Sequence, residues 1–371
     1  MENNILNKNR RLILSGLFNI LPVIFLVILW CLAPVYFDTE DDTELLYSVA
    51  GYRTGTPSII THFCGIIWGL FLSSLYRITG SISWYAIINL WLIVCSIYVL
   101  WNMIDISQSQ KLHKVLRYEK YIGKIVFFFF LFWGILCFYS TAIQFTMVSA
   151  FCGMAAIIFA YKKCAKRTQK SYAVELAVFS VFILCCYNIR SRVGLLMLLS
   201  LSIYLMGGYN KANVIKYLII AYFECAISFA VNTIWKNSGN WYEYDLLRDA
   251  RVKWLDFPHL TFENYPDLYQ SKNWSLSLYN LVGKWFFLDN RVTADNFNFF
   301  NNAYKETIKG GGIFGGIARG WYFITETRSN SLLFVLCVLF VVSLFLSGVL
   351  LAEKKRRELL ISALRMWAIL L

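Results

Sequence analysis

Long apolar runs separated by short polar segments make up most of this 371-residue chain. Runs of roughly 17–25 apolar residues match the hydrocarbon thickness of a bilayer, so they predict membrane-spanning helices. Eight such spans are predicted, at residues 12–36, 84–104, 124–140, 145–161, 172–188, 193–209, 214–235 and 331–351. The first run is too long for the apolar region of a cleaved signal peptide, so we interpret it as a retained span.

Short basic clusters between the runs predict the orientation of the spans, because Lys and Arg concentrate in cytoplasmic loops. The clusters are Lys8, Arg10 and Arg11; Lys111, Lys114, Arg117, Lys120 and Lys124; Lys162, Lys163, Lys166, Arg167 and Lys170; Lys211 and Lys216; and Lys354, Lys355, Arg356 and Arg357. The N-terminus is then expected in the cytoplasm. The joints at 37–83, 140–144, 188–192 and 236–330 are expected on the outer side of the membrane.

One further apolar run, residues 57–76, does not fit this count. A crossing at this point would place every later basic cluster outside, against the charge rule. We therefore favour a helix that lies in the outer interface, or dips in and returns, over a true crossing. The residues Pro57, Trp68, Tyr76 and Trp84 suit an interfacial helix.

The pattern predicts a membrane bundle with one large external insertion. Residues 1–235 form a membrane domain with an acidic first external loop at 37–83, and residues 236–330 form a large external loop with short helices. Residues 331–371 supply C-terminal membrane helices, although 359–371 is too short to span. The expected fold class is an all-α integral membrane protein, a polytopic bundle of about 8–10 transmembrane helices plus interfacial helices.

Composition narrows the class of protein further. Hydrophobic residues make up 58% of the chain and charged residues 15%, whereas soluble domains are about 45–50% apolar and about 25% charged. A soluble enzyme, a secreted disulfide scaffold and a disordered chain are therefore excluded. The net charge of +13 does not indicate a nucleic-acid partner, because the basic residues form loop clusters and no single stripe. The ten cysteines lack metal-ligand spacing and are interpreted as buried reduced thiols.

An acidic cluster follows the first predicted span: Asp38, Glu40, Asp41 and Asp42. Adjacent carboxylates repel one another and are costly to bury, so a solvated acidic cap is one interpretation. The other is catalytic. Asp41, Asp42 and Glu40 are candidates for a general base, and Asp41 and Asp42 are candidate ligands for Mg²⁺ or Mn²⁺, which prefer carboxylate oxygen.

The same region resembles a family. The string DDTELLYSVAGYRTGTPS, followed by LYRITGSISWY, is similar to an uncharacterised bacterial family of GT-C-like membrane proteins with the pattern DD, GxxTGxP, LY and WY. The matching residues are Asp41, Asp42, Gly51, Thr54, Gly55, Pro57, Leu75, Tyr76, Trp84 and Tyr85. The string RVKWLDFP, with Arg251 and Asp256, also resembles that family's external loop. The resemblance covers about a fifth of the chain in its motifs and most of it in layout.

The resemblance implies a GT-C-like bundle in the bacterial inner membrane and a sugar donor carried on a polyprenyl phosphate. In the GT-C superfamily an acidic residue of the first external loop is the usual catalytic base or metal ligand. The resemblance therefore implies such a role for Asp41 or Asp42. The candidate substrate-binding residues are Arg53, His62, Arg190, Arg192, Arg248, Arg251, Asp256 and Arg319.

Arg190 and Arg192 lie between two predicted spans, in a joint that the span count places outside. Charges at membrane level are functional candidates, and arginine binds phosphate bidentately. We interpret both residues as ligands of the phosphate or diphosphate of a lipid-linked sugar. The alternative is that their side chains extend to lipid headgroups.

The predicted external loop is rich in aromatic side chains, which suit either stacking on sugar rings or the aromatic belt at a bilayer interface. They are Trp241, Tyr242, Tyr244, Trp254, Trp274, Tyr279, Trp285 and Trp321. The string from Gly310 to Gly315 satisfies GxGxxG, but no βαβ context surrounds it, so we reject a dinucleotide site.

These observations predict a membrane glycosyltransferase that acts on the extracytoplasmic face, with a lipid-linked donor and a polysaccharide or lipid-linked glycan acceptor. A repeat-unit polymerase of the O-antigen type is the alternative, because Ser191-Arg192-Val193-Gly194 resembles a string common among those enzymes. A transporter or flippase is the third hypothesis. Transporters usually have spans that contain charges or are interrupted by Gly and Pro. This function is disfavoured because the interiors of the predicted spans are almost free of charge, with Glu175 and Glu224 as the main exceptions. The expected partners are these substrates and the lipid bilayer, with no nucleic acid.

Overall fold

The computed structural model describes residues 19–61, 63–103, 140–165, 173–205, 211–238, 241–256 and 258–308. The chain is mainly helical. The helices before residue 166 are α1 (Asn19–Leu32), α2 (Glu40–Ala50), α3 (Ile66–Ile78), α4 (Trp84–Met103) and α5 (Phe145–Ala165). Those after it are α6 (Ala173–Ile189), α7 (Ser191–Leu205), α8 (Lys211–Lys236), α9 (Trp241–Leu255), α10 (Pro266–Gln270), α11 (Leu276–Gly283) and α12 (Ala294–Ile308). Two short strands, β1 (Tyr36–Phe37) and β2 (Ala142–Ile143), complete the described elements.

The contacts divide the chain into two compact units. The first unit includes the described residues up to Asn232, and the second begins at Thr233 within the last turn of α8. Each unit has a buried hydrophobic cluster of its own. We call them the bundle unit and the second unit.

In the bundle unit, α5 is the central helix and packs against α4, α6 and α7. Of the most apolar 18-residue stretch of α5, 61% is buried, whereas the corresponding share in α8 is 22%. Small residues allow this close packing: a Cβ added at Gly153 would lie 2.5 Å from Cγ of Met197 and 3.0 Å from Sγ of Cys186. Since Cys186 lies in α6 and Met197 in α7, both helices contact the same turn of α5.

Three described helices are long and apolar enough to cross a membrane: Trp84–Asn102, Phe145–Cys164 and Lys211–Lys236. They correspond to the spans predicted at 84–104, 145–161 and 214–235. The spans predicted at 172–188 and 193–209 form α6 and α7, helices of 17 and 15 residues. At a rise of about 1.5 Å per residue the described part of each is shorter than a hydrocarbon core of about 30 Å, and the residues just before Ala173 and just after Leu205 lie outside the described residues.

The expected total of about 8–10 transmembrane helices is therefore not confirmed. The predicted spans 124–140 and 331–351 lie outside the described residues, as does the beginning of span 12–36. Within the described residues, three helices meet the length requirement and four shorter apolar helices do not.

The helices α6 and α7 are separated by a single residue, Arg190. They form a tight helical hairpin, because a Cβ added at Gly194 would lie 2.6 Å from Cα of Tyr187. Gly194 belongs to the string that resembles repeat-unit polymerases, and the close packing of the hairpin is a structural reason for a glycine at this position. Arg190 occupies the tip.

The segments before α2 and before α5 meet at the same end of the bundle as this tip. The strands β1 and β2 pair in parallel, with Tyr36 opposite Ala142 and Phe37 opposite Ile143. The indole N–H of Trp30 also donates to the carbonyl of Ser140 at 2.8 Å. Three joints that the charge pattern placed on the outer side, 37–83, 140–144 and 188–192, therefore come together.

Both ends of α3 contact this end of the bundle. At its beginning, the N–H of Gly65 donates to the carbonyl of Asn188 at the end of α6, at 2.6 Å. Near its end, the hydroxyl of Tyr76 accepts from the N–H of Tyr85 in the first turn of α4, at 3.0 Å. Because both ends of this 13-residue helix contact the same end of the bundle, α3 lies over that end and does not run from one end of the bundle to the other.

The opposite end of α5 carries basic side chains. Lys162 donates to the carbonyl of Asn102 at 3.1 Å, and Lys163 forms an ion pair with Glu175. Phe145 and Lys162 are separated by 17 residues of continuous helix, which is about 25 Å at 1.5 Å per residue. A basic cluster and the Arg190 tip therefore lie at opposite ends of the bundle.

The second unit is built around an aromatic core. Its most buried large side chains are Trp254, Tyr269, Trp274, Phe297 and Phe300. The ring of Trp254 contacts those of Trp274 and Phe297 at 5.9 and 5.7 Å. An interfacial or sugar-stacking surface role is thus wrong for Trp254 and Trp274, which hold this unit together.

The GxxTGxP string forms the turn that ends α2. The N–H of Gly51 donates to the carbonyl of Ser48, and that of Tyr52 to Tyr47, so the helix ends in a Schellman motif. Gly51 has φ +73°, and an added Cβ would lie 2.2 Å from the carbonyl carbon of Thr56. Gly55 has φ +77°, but nothing lies within 4 Å of an added Cβ.

This pair of glycines provides a matched test of the turn. We expect Gly51→Ala to lower the free energy of unfolding by about 2–4 kcal/mol, because alanine adds both left-handed strain and overlap with backbone. Gly55→Ala should cost only about 1 kcal/mol, the strain alone. Equilibrium unfolding in mixed micelles measures both, and equal losses would contradict this account of the turn.

Candidate functional site

The acidic cluster lies where α2 begins. Thr39 precedes the helix, and Glu40, Asp41 and Asp42 form its first turn, where the helix dipole favours negative charge. Asp42, Leu45 and Val49 are buried. Asp38, Glu40 and Asp41 are exposed. The direction of the side chains around the helix therefore buries the carboxylate of Asp42 and leaves those of Glu40 and Asp41 exposed.

Asp42 is completely buried and joins three segments of the bundle unit. Its Oδ1 accepts from the hydroxyl of Tyr85 at 2.8 Å and from the backbone N–H of Phe145 at 3.0 Å. Its Oδ2 accepts from the hydroxyl of Thr39 at 2.6 Å. The carboxylate thus connects the beginnings of α2, α4 and α5, an arrangement that supports a positioning role.

Burial raises the pKa of Asp42 above its usual value. The hydrogen bonds from Thr39, Tyr85 and Phe145 act in the opposite direction, and the neighbouring charge of Asp41 adds to the increase in pKa. Burial is the largest of these effects, since desolvation disfavours the charged form.

The contacts of Asp42 do not fit the predicted Mg²⁺ or Mn²⁺ ligand role. Both oxygens already accept hydrogen bonds in a fully buried position, so the carboxylate presents no open face to a cation. Among the described residues, no group of three or more His, Cys, Asp or Glu side chains is placed to hold a metal ion. The metal stays a prediction, and no step below depends on it.

The aromatic residues of the LY and WY motifs support Asp42. Tyr76 accepts the N–H of Tyr85 through its hydroxyl, while the hydroxyl of Tyr85 donates to Asp42. The ring of Tyr85 also packs against Phe37 at 5.6 Å, and that of Tyr76 against Tyr52 at 6.4 Å. Three of the motif residues, Asp42, Tyr76 and Tyr85, therefore form one hydrogen-bonded cluster.

Arg190 lies on two aromatic faces. Its Cζ is 5.5 Å from the ring centroid of Phe63 and 5.2 Å from that of Phe145, and the two rings stack on each other at 5.8 Å. Cation–π contacts of this kind hold a guanidinium where water is partly excluded. Within the described residues, the Arg190 side chain forms no hydrogen bond or ion pair, so its N–H groups are available to a ligand.

Charges around Arg190 connect it to the acidic cluster. Burial lowers the pKa of Arg190, and the positive charge of Arg192 lowers it further. Cys64 and the carboxylate of Asp41 act in the opposite direction. The geometric link is Phe145, whose N–H donates to Asp42, the chain neighbour of Asp41, and whose ring carries the guanidinium of Arg190.

A polar network behind Arg190 was missed in the sequence. The amide of Asn188 donates to the hydroxyl of Ser228 at 3.0 Å, and the N–H of Ile66 donates to Oδ1 of Asn232 at 2.8 Å. A Cβ at Gly65 would lie 2.6 Å from Oδ1 of Asn188 and 3.1 Å from Nδ2 of Asn232, so Gly65 packs closely against both amides. The sequence feature that could have indicated this network is the presence of asparagines such as Asn188 and Asn232 within or beside apolar runs.

The remaining predicted site residues are dispersed. In the bundle unit, exposed Arg53 pairs with Glu44 and lies over the ring of Tyr47, and Arg192 is exposed. Arg248, Arg251 and Asp256 belong to the second unit.

In the second unit, Arg248 forms ion pairs with Asp245 and Asp249, both at 2.8 Å, whereas Asp256 is exposed. His62 and Arg319 lie outside the described residues. Among the predicted residues, the structure thus links Asp42, with its chain neighbour Asp41, to Arg190 through Phe145.

Comparisons with known proteins add no relative. No protein-family model matches the chain, and no curated protein or solved structure is significantly similar to it. The resemblance to GT-C proteins therefore stays a prediction from the motifs.

Proposed function

We propose that the chain is a membrane glycosyltransferase of GT-C-like type. It would transfer a sugar from a polyprenyl-phosphate-linked donor to a cell-surface polysaccharide or a lipid-linked glycan. The observation that carries the proposal is that Phe145 contacts both predicted groups: its N–H donates to Asp42, next to the exposed Asp41, and its ring packs against the half-buried Arg190, whose N–H groups have no partner among the described residues.

Arg190 suits the phosphate of a lipid-linked donor. A guanidinium binds phosphate through two parallel N–H bonds, and partial burial on the rings of Phe63 and Phe145 strengthens such bonds. Its position at the tip of a hairpin of apolar helices suits a phosphate that stays at the bilayer surface while its lipid tail remains in the membrane.

Asp41 suits the role of general base. Its carboxylate would take the proton of the acceptor hydroxyl while that oxygen attacks the anomeric carbon of the donor sugar. The bond from the anomeric carbon to the phosphate oxygen would break, and the polyprenyl phosphate would leave with the electron pair, held by Arg190. Asp42 would position α2 through its three hydrogen bonds and would not itself react.

We place this site on the extracytoplasmic face of a bacterial inner membrane, with the N-terminus in the cytoplasm. The support is the separation of charges along α5, since Lys162 and Lys163 lie at the end away from Arg190. Clusters of lysine favour the cytoplasmic side.

Binding of undecaprenyl phosphate to the full-length protein in nanodiscs tests the proposed phosphate site. We expect Arg190→Gln to raise the dissociation constant at least about tenfold, the loss of roughly 1.4 kcal/mol. Arg190→Lys should lose less affinity than Arg190→Gln, because lysine keeps the positive charge but lacks the two parallel N–H donors of the guanidinium.

Arg192→Gln is the matched control, since it removes an exposed charge two residues away and should change the affinity about twofold or less. Native mass spectrometry of the lipid-bound and free protein measures the affinities. If Arg190→Gln binds undecaprenyl phosphate as the wild type does, the phosphate site is wrong.

A repeat-unit polymerase is the second candidate function. The observation in its favour is that both oxygens of Asp42 accept hydrogen bonds in a buried position, so the site has Arg190 but no pair of exposed adjacent carboxylates beside it. The two functions differ in their dependence on Asp41, because only the transferase mechanism requires this base.

A further inference from the structure

An aromatic and aliphatic tip protrudes from the second unit. It consists of residues 281–288, from the end of α11 onward, and we call it the Trp285 tip. Leu288 is 88% exposed, Trp285 61%, Leu281 44% and Phe286 42%. Apolar side chains clustered at this density are typical of an interaction site.

The backbone of the tip is strained in a way that displays Trp285. The N–H of Trp285 donates to the carbonyl of Val282 and that of Phe286 to Leu281, so α11 ends in a Schellman motif. The left-handed position of this motif is usually a glycine, as Gly51 is at the end of α2. In the tip it is Trp285, with φ +65°. A bulky residue in this conformation is a genuine outlier, and such strain is typical of functional positions.

Charges around the tip are basic. Arg251 lies behind it, with its Cζ 5.7 Å from the ring of Trp285 and 4.5 Å from that of Phe287. Lys284 is exposed and forms no ion pair with another described residue. The nearby Asp289 is neutralised by Arg291, which also lowers the pKa of Asp289 to about 2.

We propose that the Trp285 tip docks on the bilayer surface, with Trp285, Phe286 and Leu288 in the interfacial layer and Lys284 at anionic headgroups. Tryptophan prefers the headgroup level of a bilayer, and basic residues beside it add attraction to anionic lipid. The second unit begins within the last turn of α8, and α8 is long and apolar enough to cross a membrane, so the chain connects the unit directly to a helix that would cross the bilayer. This inference does not depend on glycosyl transfer.

Photocrosslinking in the full-length protein tests the proposal. The photoreactive residue p-benzoylphenylalanine would replace Trp285 or, in a second variant, Leu288, in nanodiscs of phosphatidylcholine with phosphatidylglycerol. We expect covalent lipid adducts in the intact mass at both positions. The matched control is the same replacement at Tyr265, an aromatic residue of the second unit that is 41% exposed and lies outside the tip. Its lipid adducts should be at least fivefold fewer.

The composition of the nanodisc tests the role of charge. In the Leu288 variant, Lys284→Gln should reduce adducts with phosphatidylglycerol by about half and leave those with phosphatidylcholine unchanged. Lipid labelling at position 265 equal to that at 285 and 288 would overturn the proposal. A crosslink to a second copy of the chain, without lipid adducts, would also overturn it.

Discussion

Asp42→Ala is expected to lower the free energy of unfolding by about 2–4 kcal/mol, the largest stability loss that this site predicts. The substitution leaves the hydroxyl of Tyr85 and the N–H of Phe145 buried without an acceptor, and each orphaned donor costs about 1–3 kcal/mol. The substitution also removes the free-energy cost of burying the Asp42 carboxyl, which is the cost that raises its pKa, and this gain offsets part of the loss. Equilibrium unfolding in mixed micelles measures the change.

The partner Tyr85 provides a decisive control. In the wild type, Tyr85→Phe should cost about 1 kcal/mol, the net value of one hydrogen bond. In the Asp42→Ala background the same change should be neutral or stabilising, because it removes an orphaned hydroxyl. Asp38→Ala, at an exposed position of the same loop, should change stability by less than about 0.5 kcal/mol. Additive losses for Asp42 and Tyr85 would show that their hydrogen bond is not an energetic unit.

Asp41→Asn is expected to reduce the rate of sugar transfer by about 10²–10⁴-fold, the usual contribution of a general base. Asparagine keeps the size of the side chain but cannot take a proton. The measurement is the release of undecaprenyl phosphate from a panel of undecaprenyl-phosphate hexoses and pentoses, with a bacterial envelope lipid extract as the source of acceptor.

The control for this prediction is Asp38→Asn, which removes a negative charge from an exposed position three residues away. It should leave transfer within about twofold of the wild type, because an exposed charge away from the reacting atoms is screened. Unchanged transfer in Asp41→Asn would remove the catalytic base from the proposal and favour the polymerase reading. Asp42 is unsuitable for this comparison, since its substitution also disturbs the fold.

The apolar runs predicted the helices of the bundle unit well. The runs at 84–104, 145–161 and 214–235 correspond to helices long enough to span, because hydrophobic length is a local property of the chain. The same runs did not predict how closely α6 and α7 pack. Their hairpin depends on the break at Arg190 and on the packing of Gly194 against Tyr187, which hydropathy does not contain.

The motifs predicted which residues of the candidate site lie together better than what each residue contributes to the fold. Tyr76, Tyr85 and Gly51 were noted only as parts of a family pattern, and the structure assigns them packing, a hydrogen bond and a helix end. Phe63 was absent from every sequence-based expectation. Aromatic residues are so frequent in this chain that nothing local distinguished the ring that supports Arg190.

The sequence by itself determined that the chain forms apolar helices, three of them long enough among the described residues to cross a membrane, because the length of an apolar run is a property of the linear chain. Only the tertiary structure decided which acidic residue is buried and which is exposed. Asp41 and Asp42 are adjacent and chemically identical. The partners that separate them, Tyr85 and Phe145, are 43 and 103 residues away from Asp42 and meet it only when the helices pack.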